Sequence, residues 1–284
     1  MTTTDVPAPT MVASRDGTPI AVWSAGDGPP LLLVHGMTAS HTSFDPVLPY
    51  LRPHVSVHAL DRRGRGGSGD AKAYALEREF EDIAAVIDRL ADTAGGPVDL
   101  FGHSFGGLCA FGAARLTSNV GRLVLYEGWP VPDPAAILGP DGVMDRVAEL
   151  LASGDDEAAL ASFYREVVGM SDDFLEALRA SPRWPERVAA APTIPREVAA
   201  QNLGILDAAE ASEIDGPVSL LVGTESPDHL CAGVHELASM LPDAGIVELD
   251  GQEHLAYLEA PEPFAQTLLT FIGTDRHLAP RNGG

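Results

Sequence analysis

From Leu31 to Leu249 the chain repeats one pattern: a short, mostly apolar run, then a turn, then a helical stretch or loop. The runs are LLLV (31–34), VSVHAL (55–60), VDLFG (98–102), RLVLY (122–126), VSLLV (218–222) and GIVEL (245–249). A strand with little polar alternation is covered on both faces, the condition of a parallel sheet between two layers of helices. Between the runs, Leu76, Phe80, Ile83, Ile87 and Leu90 fall at helical spacings, and helices are expected over 74–93, from Phe105 to about Leu116, and over Pro261–Ile272. Residues 11–25 alternate around Asp16-Gly17 and read as a hairpin. Residues 1–10 and 275–284 read as tails.

The stretch 129–214 breaks the pattern. It is rich in Ala, Glu, Asp, Pro and Leu, has helical spacing, and contains no clear strand. The expectation is therefore an α/β fold with a mostly parallel central sheet flanked by helices. Its core comprises 1–128 and 215–284, and 129–214 forms a helical lid or cap insertion.

Composition excludes several partners. The net charge is −23, which repels nucleic acid and anionic lipid. No apolar stretch approaches the ~20 residues of a membrane helix. The opening MTTTDVPAPT lacks the basic and apolar regions of a signal peptide. Two cysteines, Cys109 and Cys231, suit free thiols in a reducing cytoplasm. No zinc spacing, P-loop or dinucleotide fingerprint is present, so neither a metal nor a cofactor is expected.

The chemistry gathers at Gly102-His103-Ser104-Phe105-Gly106, a G-x-S-x-G between an expected strand and an expected helix. A sharp strand-to-helix turn forces its central residue into a strained conformation, and flanking glycines remove clashing Cβ atoms. The hydroxyl of Ser104 then stands at a helix N-terminus, where backbone N–H groups favour developing negative charge. His254 follows the last strand. In a parallel sheet the C-terminal strand ends share one edge, so His254 joins Ser104 there. A histidine titrates near neutrality and can take the serine proton.

Four segments, in this order, resemble the α/β-hydrolase superfamily: LLLVHGMTAS, HALDRRGRGGSG, LFGHSFGG and GQEHLAYLEAP. The resemblance covers most of the chain apart from 129–214. It implies Ser104 as nucleophile, His254 as general base, and an oxyanion hole made by the backbone N–H groups of Met37 and Phe105, whose side chains would help wall an apolar pocket. Ser104 stands where haloalkane dehalogenases and epoxide hydrolases carry an aspartate, which argues against those activities. His35 and His103 are read as structural.

The acid departs from the commonest pattern of the family. The usual aspartate position, after VSLLV, is occupied by Ser226. The superfamily has a second solution, at the end of the strand after the nucleophile helix, and there stands Glu127. Glu127 is preferred, with Asp228 and Glu225 as alternatives. A buried carboxylate after an apolar strand needs a partner, and an imidazole would be one.

Arg62, Arg63 and Arg65 form a basic cluster that could bind an anion, although the resembling loop is usually structural. Trp129, Trp184 and Phe163 are candidates either for lining a lidded pocket or for the lid's own core. The expected activity is hydrolysis of a carboxylic ester or thioester of medium-sized, largely apolar character. A lactonase, a C–C hydrolase, a perhydrolase, or a slow ligand-binding receptor on the same fold are the alternatives.

Overall fold

The computed structural model describes residues 8–128, 140–201, 211–214, 216–241 and 243–273. Eight strands form one sheet: β1 (Thr10–Ala13), β2 (Pro19–Ala25), β3 (Pro30–Val34), β4 (Ser56–Leu60), β5 (Val98–His103), β6 (Val120–Tyr126), β7 (Val218–Gly223) and β8 (Gly245–Leu249). Their order is β1-β2-β4-β3-β5-β6-β7-β8. The β1–β2 hairpin and the β2–β4 pair are antiparallel, and from β4 to β8 every neighbour is parallel. Each apolar run of the sequence is one of these strands, and β3, β5 and β7 are buried almost throughout.

Helix α1 (Leu76–Ala94) buries Ile83, Val86 and Ile87 and ends on Gly95, whose φ of 71° suits a residue without Cβ. Helix α2 (Phe105–Ala114) is apolar all round, and nine of its residues are buried, as a helix packed on every side must be. Apolar clusters lie on both faces of the sheet.

Between β6 and β7 the described chain is helical: α3 (Val143–Ser153), α4 (Asp156–Ser162), α5 (Asp172–Arg179), α6 (Trp184–Ala190) and α7 (Ile194–Gln201). The Asp155 and Ser171 side chains cap α4 and α5 by accepting from the amides of Ala158 and Phe174. A single π-helical stretch, Phe163–Val168, follows α4 directly. Most of the buried apolar side chains of these helices join the cluster that contains Phe44, Tyr257 and Phe264, while Ala200 joins the other. After β7 come α8 (Asp228–Met240), which the sequence reading did not assign, and after β8 comes α9 (Pro261–Ile272). Among the described residues no helix is long and apolar enough to cross a membrane, and Cys109 and Cys231 are free.

One contact sets how closely α2 can approach β6. A Cβ placed on Gly107 would lie 2.7 Å from the Cα of Gly128, backbone against backbone. Neither side can swing away. Gly107→Ala is expected to destabilise the fold by about 1–3 kcal/mol, the cost of overpacking a rigid contact. Urea unfolding followed by circular dichroism checks this, and an unchanged midpoint would mean that the two backbones can separate freely.

Candidate active site

Ser104 follows β5 with φ 53° and ψ −131°, a conformation that costs a non-glycine residue about 1–3 kcal/mol. The turn is held from both sides. The Ser104 amide donates to the carbonyl of Tyr126 at 2.9 Å, and the Ser104 carbonyl accepts from the amides of Gly107 (2.7 Å) and Leu108 (3.2 Å). Its side chain lines a cavity together with Gly36, Met37, Glu127 and His254.

Glu127 follows β6 and is also strained, at φ 45°. It is 3% exposed. Its Oε2 meets Nδ1 of His254 at 2.5 Å, while Oε1 accepts from the Gly223 amide at 2.7 Å and from the Ser226 hydroxyl at 2.6 Å. Glu127 is thus the carboxylate on the imidazole. Asp228 and Glu225 make no bond to His254 among the described residues: Asp228 opens α8, and Glu225 hands its amide to the carbonyl of Gln252. Ser226 occupies the position where an aspartate is usual, and its hydroxyl donates to the Glu127 carboxylate.

The loop around His254 is pinned by buried aromatic side chains. The Tyr126 hydroxyl donates to the carbonyl of Glu253 and accepts from the amide of Ala256 at 3.2 Å. Nε2 of His103 meets the carbonyl of His254 at 2.8 Å, and the Tyr257 hydroxyl lies 3.3 Å from Nδ1 of His103. A carbonyl only accepts, so Nε2 of His103 carries the proton and Nδ1 accepts from Tyr257. Burial, then the neighbouring His254, pushes the pKa of His103 well down, which keeps this ring neutral. His35 works alike: Nδ1 donates to the Gly36 carbonyl at 2.9 Å, Nε2 accepts from the Arg62 amide at 3.1 Å, and burial followed by Arg65 and Arg62 keeps it neutral. Both histidines hold loops.

The Met37 and Phe105 amides, proposed for the oxyanion, donate to no acceptor among the described residues. For Phe105 this follows from its place as the first residue of α2. The side chains part company. Met37 lines the cavity. Phe105 does not, contrary to the sequence reading: its ring packs on the opposite face, with the Arg62 guanidinium 4.5 Å above it.

The arginine cluster is structural. Arg62 pairs with Glu79 at 2.7 Å and Glu197 at 3.2 Å, Arg63 with Asp82 at 2.7 Å, and Arg65 with Glu197. All three are buried and none lines the cavity. Of the aromatic candidates, Phe163 lines the cavity. Trp184 instead packs in the apolar cluster and donates to Glu157 at 3.2 Å. Trp129 lies outside the described residues. Sequence reasoning missed Arg187, Tyr164 and Tyr257, which face the cavity. Helical spacing gave no reason to single them out.

A strained serine at a strand-to-helix turn, a histidine on a buried carboxylate and a parallel sheet define an α/β hydrolase. The family model described as the alpha/beta hydrolase family matches residues 31–267, and the chain belongs to this family. It is 28% identical over 254 residues to the (E)-2-((N-methylformamido)methylene)succinate hydrolase of Acinetobacter baylyi, covering 88% of this chain and 92% of that one. An alpha/beta hydrolase from Sphaerobacter thermophilus is similar in structure, with TM-score 0.79 and 35% identity over 93% of this chain and all of the other. A Pseudomonas aeruginosa hydrolase gives TM-score 0.76 at 25% identity over 96% of this chain and 100% of that one.

The two neutral histidines predict how stability depends on pH. Their folded pKa values lie well below the ordinary 6.5. Below about pH 6.5 the unfolded chain binds protons that the native one does not, so stability is full above that pH and is lost as pH falls below it. Each group contributes up to about 1.4 kcal/mol per pH unit. Urea midpoints measured from pH 8 to 5 are expected to be level at the top and to fall below about 6.5. A midpoint that rises on acidification contradicts this assignment.

Proposed function

We propose that the chain hydrolyses a carboxylic ester or thioester through an acyl-enzyme on Ser104. The observation that carries this reading is the 2.5 Å contact between Glu127 and Nδ1 of His254, beside the cavity that Ser104 lines. Glu127 holds the ring so that Nε2 is the free base. His254 takes the Ser104 proton as Oγ attacks the acyl carbon, and the Met37 and Phe105 amides stabilise the oxyanion. His254 then protonates the departing alcohol or thiol. Water, deprotonated by the same histidine, attacks the acyl-enzyme and releases the acid and free Ser104.

The cavity's walls suit a small acyl compound. Phe163, Val167, Val168 and Met170, from the π-helical stretch and the turn after it, line one side, and Leu230 and Leu255 line another. In this reading the helices between β6 and β7 are the lid, and the partner is a small molecule. The Acinetobacter relative, whose substrate bears an N-formyl group by name, favours a second reading: cleavage of an N-acyl bond by the same residues. The leaving group is then an amine, which His254 would protonate in the same way.

Ser104→Ala is expected to abolish turnover of p-nitrophenyl esters and labelling by a fluorophosphonate while the unfolding midpoint stays close to that of the parent. Labelling at another residue would sink the assignment. Glu127→Gln is expected to lower kcat by about 10³–10⁴-fold, the scale seen when a triad acid becomes an amide. Adding Ser226→Asp to Glu127→Gln places a carboxylate at the family's commoner position, and part of the activity is expected to return. Near-normal turnover in Glu127→Gln, with Asp228→Asn inactive, would assign the acid to Asp228.

A further inference from the structure

Arg187, on α6, lines the cavity and is 4% exposed. Its partners are all neutral. Nη1 donates to the Tyr164 hydroxyl at 2.9 Å and Nη2 to the Ser43 hydroxyl at 3.3 Å, and Tyr257 lines the same cavity. Its Nε has no partner. No Asp or Glu among the described residues forms an ion pair with it, although acidic residues outnumber basic ones by 41 to 18 in this chain. The buried arginines outside the cavity, Arg62, Arg63 and Arg65, each have a carboxylate. A buried guanidinium without a counter-charge is costly, and folding alone gives no return for it.

The hydroxyls around it cannot neutralise it, because their protons are committed elsewhere. Thr38 Oγ1 donates to the Met37 carbonyl at 2.7 Å, so the Tyr164 hydroxyl, 2.5 Å from Thr38 Oγ1, is the donor to it. The Tyr257 hydroxyl donates to His103. The Tyr164 oxygen turns a lone pair to Arg187 and stays neutral, which leaves the guanidinium charge in place. A guanidinium has five N–H groups in a planar fork that matches a carboxylate. Two hydrogen bonds engage it here, and Nε is among the groups left for a ligand.

We propose that Arg187 binds a free carboxylate of the substrate, so that this hydrolase takes acyl compounds that carry a second, ionised carboxyl group remote from the scissile bond. The proposal rests on the reading of Ser104 as the nucleophile only for the position of the scissile bond. It narrows the apolar acyl substrate expected from the sequence: the walls are apolar, and one end is cationic. The succinate in the name of the Acinetobacter relative's substrate belongs to the same chemical class.

The test compares mono-p-nitrophenyl half-esters of succinate, glutarate and adipate with neutral p-nitrophenyl esters of matching length. The parent protein is expected to favour at least one half-ester in kcat/KM by about 10- to 100-fold, the range of a charge-assisted hydrogen bond. Arg187→Met is expected to collapse that ratio towards unity, and Arg187→Lys to retain part of it. A parent that prefers every neutral ester, or an Arg187→Met protein that keeps the ratio, overturns the proposal. A second readout needs no turnover. Glutarate or succinate, at millimolar concentration, is expected to raise the melting temperature of the parent where the corresponding diamide does not, and to do so less for Arg187→Met. Equal shifts from diacid and diamide overturn the proposal even if Arg187→Met fails to fold, since that comparison uses the parent alone. If Ser104 takes no fluorophosphonate label and no ester is cleaved, the hydrolase reading has failed, while the diacid shift still decides the role of Arg187.

Discussion

The carboxylate of Glu127 is the point on which one end of the sheet depends. It accepts from Nδ1 of His254, from the Gly223 amide and from the Ser226 hydroxyl. These groups come from the end of β7 and the loops that follow β7 and β8, while Glu127 itself follows β6. A parallel sheet brings those strand ends to one edge. A carboxylate buried to this degree is tolerable only when its lone pairs are filled. The same three bonds therefore close the edge of the sheet and orient the imidazole, so folding there and assembly of the site are one event.

Ser104 is tied to the same edge from the other side. Its amide bonds to Tyr126, the residue before Glu127, and the Tyr126 hydroxyl bridges the backbone on both sides of His254. Two consecutive residues of β6 and its turn thus position Ser104, His254 and the Glu127 carboxylate. Backbone strain at Ser104 and Glu127 is sustained because surrounding bonds over-determine both.

Most of the fold was legible in the sequence because its signals are local. A strand covered on both faces must be apolar, so β3, β5, β6 and β7 stood out, and the elbow carries its own glycines. That Ser104, His254 and Glu127 lie at one edge of the sheet was readable for the same reason: each follows a strand. What was not legible depends on which way a side chain turns. Phe105 was expected at the pocket, but as the first residue of α2 it points across the sheet to Arg62. Trp184 carries no mark that separates a cavity wall from a helical core. Ser226 looked like a lost aspartate, and its hydroxyl's contribution to Glu127 appears only when the β6 and β7 loops are side by side. Helix α8 was passed over because its buried residues are few: Gly233, Val234 and Leu237.

Charge separates the two kinds of buried arginine. Arg62, Arg63 and Arg65 bring the D-R-R-G-R loop into the fold through carboxylates on α1 and α7, so their charges are spent on architecture. Arg187 is surrounded by hydroxyls that serve other masters: Tyr164 leads through Thr38 to the carbonyl of Met37, and Tyr257 leads through His103 to the carbonyl of His254. Those two carbonyls belong to the residue proposed for the oxyanion and to the base. An anion arriving at Arg187 would thus polarise the hydrogen-bond chain that ends on the Met37 carbonyl. Removing the arginine would strip the Tyr164 oxygen of its donor. In this proposal, recognition at the helical segment reaches the sheet edge through one buried chain, in surroundings of low dielectric where a charge acts more strongly than in water.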